Sequence, residues 1–227
     1  MTDEPRRRAL PLPIRTAAGL CRLLLRLTAR VTVEVDGEVP TKGPLIVVAN
    51  HISFADPPLV AGWLTSLLGR QMHILAKQGL FVPVIGFILR WLGATPVKSG
   101  GSDIEAYRTA RNLLERGEVL CIFPEGTRSW DGAMAEPKPG VAMLATRHRV
   151  PILPVGISGT DMLLGRGRKL PGLRTRVKLH IGSPFTLTLD AALSHRAATN
   201  AASDELMRRI AALVDERHRG RFGAGGL

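Results

Sequence analysis

Two short segments hold the residue types and spacings that could do chemistry. In the first, an apolar run over residues 45–49 leads into Asn50 and His51, and Asp56 follows His51 by five positions, ahead of Pro57 and Pro58. Imidazole titrates near neutral pH, so His51 can take a proton from a hydroxyl and give it up again. A carboxylate at Asp56 would hold one ring nitrogen as N–H and stabilise the imidazolium as it forms. Asp56 followed by proline is also a helix start, with Asp56 expected as the N-cap and Pro57 at the first helical position. In the second segment, an apolar run over residues 119–123 leads into Pro124-Glu125-Gly126-Thr127-Arg128. Arginine presents a planar fork that suits phosphate oxygens. A base and an anion site on neighbouring strand ends point to an enzyme acting on a phosphate-bearing alcohol.

These loops need a frame. Strands are expected over 31–35, 45–49, 73–76, 94–97, 119–123, 151–157 and 174–182. Helices are expected over 57–68, 83–92, 103–117, 139–148 and 203–219. The alternation implies an α/β fold, a layered mixed sheet of about seven strands flanked by helices. Function is then expected at the carboxyl ends of strands, where both polar segments sit. Residues 31–219 form the main domain, residues 220–227 a Gly-rich, frayed tail, and residues 1–13 a charged, Pro-rich and disordered start.

Residues 14–30 read as an amphipathic helix. Arg15, Arg22, Arg26 and Arg30 share one face, with Leu20, Leu23, Leu24 and Leu27 beside it, as for a helix lying on anionic lipid; packing on the core is the alternative. The net charge is +12. Residues 1–30 contribute seven arginines against Asp3 and Glu4, and residues 147–180 contribute eight basic residues against Asp161, which accounts for the whole excess. Such clustering implies an anionic partner surface. Aromatics are only 4%, with no basic–aromatic interleaving, so nucleic acid is not expected as a partner. No apolar stretch reaches the ~18–20 residues of a spanning helix. Residues 79–93 hold only Arg90 as a charge and read as a buried or interface-dipping helix. Cys21 and Cys121 match no disulfide or metal spacing and are expected to be reduced thiols. The expected location is the cytoplasmic face of a membrane, peripheral or monotopic.

The segments Asn50-His51-x4-Asp56 and Phe123-Pro124-Glu125-Gly126-Thr127-Arg128-Ser129 resemble two signature blocks of the glycerolipid acyltransferases, in the branch of the 1-acylglycerol-3-phosphate acyltransferases. Residues 150–156 and 77–98 resemble two further blocks, and Lys138-Pro139-Gly140 resembles the Lys-x-Gly that opens the next helix. The resemblance covers residues 30–185. It implies acyl transfer from a thioester, acyl-CoA or acyl-carrier protein, to the free hydroxyl of a lysophospholipid, giving phosphatidic acid when the acceptor is 1-acyl-glycerol-3-phosphate. His51 and Asp56 are then the catalytic pair. Arg128 binds the acceptor phosphate, Gly126 supplies the tight turn, Thr127 a hydrogen-bond donor, and Glu125 either shapes the acceptor site or pairs with Arg128. Lys98 is the one basic residue ending the second block, where relatives carry arginine. No metal or cofactor beyond the thioester co-substrate is called for. Another acceptor, such as lyso-ornithine lipid, and a catalytically silent basic protein that binds membrane or nucleic acid are the alternatives.

Overall fold

The computed structural model describes residues 10–91, 93–97, 103–168 and 172–223. The β-strands are β1 Ala29–Val35, β2 Leu45–Ala49, β3 Met72–Lys77, β4 Ala94–Val97, β5 Val119–Ile122, β6 Ile152–Ser158 and β7 Thr175–Ile181. The helices are α1 Leu12–Thr28, α2 Asp56–Leu68, α3 Pro83–Trp91, α4 Asp103–Glu115, α5 Gly140–His148, α6 Thr160–Leu164 and α7 His195–Ala211. All seven strands form one sheet in the order β1-β7-β6-β2-β5-β3-β4. Neighbours run parallel except β6 and β7, so β1 and β7 oppose the other five.

β2 is central because every one of its residues is apolar and fully buried, the pattern of a strand covered on both faces. Its alternation divides the core. Leu45, Val47 and Ala49 join Leu59, Leu64 and Leu68 of α2 on one face; Ile46 and Val48 join Leu144 of α5 and Leu206 and Ile210 of α7 on the other. The result is a three-layer sandwich with β2, β5 and β6 ending together at one rim.

α1 packs on the core along one side and leaves a leucine stripe exposed on the other. Ala17, Ala18 and Leu25 are buried, and Gly62 of α2 faces Ala18, Cys21 and Arg22 across the packed pair. On the far side Leu20, Leu23, Leu24 and Leu27 are exposed, Leu27 by 72%. Between these faces Arg22 donates to Ser66 Oγ and the Arg26 guanidinium lies 5.7 Å from the Trp63 ring centroid.

Four expectations need correction. α1 begins at Leu12, inside the stretch expected to be disordered. The last helix is His195–Ala211, not 203–219, because Ser194 accepts from Ala197 N–H as its N-cap. The start of the expected frayed tail instead forms a 3-10 turn, Gly220–Phe222. Finally, the basic residues of 147–180 do not form one patch. Arg147 and Arg149 precede β6, whereas Arg166 and Arg168 follow it at the opposite rim, and Lys178 is paired with Glu34. Among the described residues no helix is long and apolar enough to cross a membrane.

Candidate active site

Asp56 organises the rim. Its Oδ2 accepts from the backbone N–H of Ile52 and of Ser53, each at 2.7 Å, and lies 2.9 Å from His51 Nδ1. Its Oδ1 accepts from Thr160 Oγ1 at 2.5 Å. The carboxylate is fully buried, and four donors compensate its desolvation. Because an ionised carboxylate only accepts, Nδ1 of His51 carries the proton and Nε2 is left as the basic nitrogen. The expected N-cap role is displaced by one residue: Ala55 is the N-cap and Asp56 the first helical residue, with Pro57 second. Two prolines in the first turn remove N–H groups that would otherwise lack partners, so the carboxylate is released from capping to face His51.

The second loop clamps the first. His51 N–H donates to Glu125 Oε1 at 2.8 Å, and His51 C=O accepts from Ser129 N–H at 2.8 Å. The imidazole stacks on Phe123 with centroids 4.2 Å apart. No ion pair joins Glu125 to Arg128; its Oε2 accepts from Ala135 N–H at 2.9 Å and the residue is buried. It braces the loop that carries His51. Gly126 has φ +70°, a left-handed conformation that glycine takes without strain. Thr127 is exposed. Arg128 lies over Phe54, its guanidinium carbon 3.4 Å from the ring centroid, and so flanks the base loop. Lys98 lies outside the described residues.

Other positioning residues emerge only in three dimensions. Asn50 exchanges two hydrogen bonds with the backbone of Ile157, at 2.9 and 2.8 Å, locking the end of β2 to β6. Thr160 reaches Asp56 from the third strand end; the Ser158-Gly159-Thr160 run after an apolar strand is the signal that could have marked it. His218 is buried and joins the loop after Arg128 to the loop after β6, with Nδ1 donating to Gly132 O at 2.6 Å and Nε2 accepting from Gly159 N–H. The free cysteines supply no nucleophile, since burial pushes the Cys121 thiol up to about 12 and Cys21 up to about 11.

Glu125 yields a pH prediction. Burial, the largest effect, raises its pKa from 4.5 to about 7, against the two N–H donors and the charge of His51, with Asp56 adding to the rise. Between those values the folded state binds a proton that the unfolded chain has lost. This group's contribution to stability therefore falls as pH rises through that window. Glu125→Gln removes that dependence, visible as a smaller difference between melting temperatures at pH 5 and pH 8. The amide can accept only one of the two N–H groups, so the variant is also expected to lose ~1–3 kcal/mol and to lower activity by loosening the His51 loop. A melting curve and rate like those of the wild type would remove the bracing role.

A family model described as "Acyltransferase" matches residues 30–158, more than half of the chain. A 1-acyl-sn-glycerol-3-phosphate acyltransferase of Bacillus subtilis is 26% identical over 200 residues, covering 88% of this chain and 96% of that protein. The chloroplastic 1-acyl-sn-glycerol-3-phosphate acyltransferase BAT2 of Brassica napus is 32% identical over 127 residues, 55% of this chain but only 36% of that longer protein. The chain spans about the same fraction, 34%, of the corresponding Arabidopsis thaliana protein. The crystal structure of the 1-acyl-sn-glycerophosphate acyltransferase PlsC from Thermotoga maritima superposes with a TM-score of 0.70 at 28% identity, over 88% of this chain and 79% of that one. The matched segment contains both loops, the His51–Asp56 pair and the arginine beside them, and on these grounds the chain belongs to the acyltransferase family, as a PlsC-like glycerolipid member.

Proposed function

We propose that the protein transfers an acyl chain from a thioester, acyl-CoA or acyl-carrier protein, to the free hydroxyl of 1-acyl-glycerol-3-phosphate. The observation that carries this reading is the His51–Asp56 pair, 2.9 Å apart, with Arg128 on the adjoining loop. In the reaction Nε2 of His51 takes the hydroxyl proton as the acceptor oxygen attacks the thioester carbonyl. The developing imidazolium is stabilised by Asp56 through Nδ1–H. Collapse of the tetrahedral intermediate breaks the carbon–sulfur bond, and the proton on Nε2 passes to the departing thiolate. Phosphatidic acid and the free thiol are the products. The test is thiol release from acyl-CoA with and without lysophosphatidate. Release that depends on the acceptor, with phosphatidic acid formed in equal amount, supports the reading; release indifferent to the acceptor refutes it.

The membrane is the second element of the proposal, since both acceptor and product are lipids. The exposed Leu20, Leu23, Leu24 and Leu27 stripe of α1, flanked by Arg15, Arg22 and Arg26, supports attachment at an anionic surface. Each leucine fully buried in lipid would contribute about 1.5–3 kcal/mol, and each basic residue near an anionic surface about 1 kcal/mol. Vesicle co-sedimentation is expected to need anionic lipid and to weaken with salt, as charges are screened beyond ~8 Å at physiological ionic strength. Deleting α1 would also strip buried contacts from α2, so the decisive variant is Leu23→Glu with Leu27→Glu. It should stay in the supernatant while acylating detergent-dispersed acceptor. Sedimentation equal to that of the wild type would move attachment away from α1.

A further inference from the structure

We propose that Arg166 completes the acceptor site: with Arg128 it forms a two-guanidinium clamp, walled by Phe54 and Trp130, that selects a phosphate monoester over a phosphodiester. This rests on the reading that the acceptor phosphate meets Arg128.

Arg166 is held at the site by the base loop itself. Gly165 forms a bridge with Ser53, and Phe54 N–H donates to Leu164 O at 3.2 Å. Gly165 must be glycine for this turn, because a Cβ would stand 2.2 Å from Asp161 O. From there Arg166 Nη1 donates to the carbonyl of Arg128 at 3.2 Å, and its guanidinium carbon lies 3.0 Å from the Trp130 ring centroid. Arg128 is stacked in the same way on Phe54. Each fork is thus oriented by an aromatic face rather than by an acid. Arg168, two residues on, turns to Met162 instead.

Arg209, Arg217 and Arg221 have carboxylate partners. Among the described residues neither Arg128 nor Arg166 has one. Glu125 is occupied by backbone N–H groups, Asp131 by Ser129 and Ala133, and Asp161 by Arg217. Burial first and the Arg166 charge second hold Arg128 below its ordinary pKa, with Asp56 opposing. Two unneutralised like charges on adjoining loops destabilise the empty site. A ligand with two negative charges removes that repulsion and engages both forks; one with a single charge leaves half of it. A phosphate monoester, whose second ionisation lies near pH ~6, is the dianion at neutral pH, and a diester is never more than a monoanion.

The test compares kcat/KM of the wild type with Arg166→Gln, Arg166→Ala and Arg128→Ala on three acceptors sharing one acyl chain. These are lysophosphatidate, lysophosphatidylglycerol and monoacylglycerol. Arg166→Gln retains a planar group over Trp130 and so guards against misfolding in the alanine variant. Loss of one charge-assisted contact is expected to lower kcat/KM for lysophosphatidate about 10-fold or more. The diester and the neutral acceptor should change by less than about 3-fold, so that the monoester preference collapses. The wild-type KM for lysophosphatidate should also rise as pH falls through ~6, and this rise should flatten in Arg166→Gln. Equal losses on all three acceptors, or an unchanged preference, would overturn the clamp. If Arg128→Ala also spares the monoester preference, the phosphate reading itself fails; if Arg128→Ala abolishes it and Arg166→Gln does not, only the clamp fails.

Discussion

Replacing His51 with alanine is expected to lower kcat by at least ~100-fold, the range a positioned general base supplies, with circular dichroism unchanged. The fold should survive because the imidazole is not what holds Asp56. That carboxylate keeps the N–H groups of Ile52 and Ser53 and the hydroxyl of Thr160, and His51 keeps its backbone links to Glu125 and Ser129 whatever its side chain. Asp56→Asn should cost less. Its amide oxygen can still accept from Nδ1–H and keep the ring oriented, while the negative charge that stabilises the imidazolium is lost. Steady-state kinetics on both variants, with saturating thioester, decides the matter. A His51→Ala enzyme of nearly full activity would remove the base from the mechanism.

Arg128→Ala is expected to raise KM for lysophosphatidate about 10-fold or more while moving KM for the thioester little. A hydrogen bond to a charged group contributes ~1.5–3 kcal/mol, and each 1.4 kcal/mol is a factor of about ten. Arg128→Lys should recover only part of this. An ammonium is a point charge that can neither bind two phosphate oxygens in a plane nor stack on Phe54 as the guanidinium does. Comparable rises in both KM values would make Arg128 a structural residue of the loop.

Much of the frame was legible because burial on both faces leaves an unambiguous trace. The unbroken apolar run Leu45–Ala49 could be only a central strand, and the polar residues after it had to lie at its carboxyl end. His51, Asp56, Gly126 and Arg128 were readable for the same reason, since each follows such a run within a few positions. The start of α7 was not. The residues it buries there are Ala198, Thr199, Ala202 and Ser203, too small and polar to mark a face by hydropathy. α6 has five residues, fewer than two turns, so it carries no periodicity. Asp56 reads equally as a helix cap and as a partner of His51, and the Thr160 hydroxyl on its other oxygen has no trace nearby in the sequence. Glu125 could be placed near the site but not assigned its partners, because both are backbone N–H groups, one on the His51 loop and one ten positions on in its own. The basic stretch 147–180 misled because β6 runs through it and carries Arg166 and Arg168 to the rim opposite Arg147 and Arg149.

The links that hold the His51 loop in place bear on how the chain folds. Asn50 and Ile157 are 107 positions apart, and Asp56 and Thr160 are 104 apart, so neither contact can form before most of the chain has collapsed around them. Closing such loops is slow and entropically costly, and parallel pairing adds to the delay. A half-folded molecule owns every one of these side chains in sequence and is still expected to be inert toward thioesters. Acyl donors are therefore turned over only by molecules in which these contacts have closed, and turnover itself becomes a late reporter of folding.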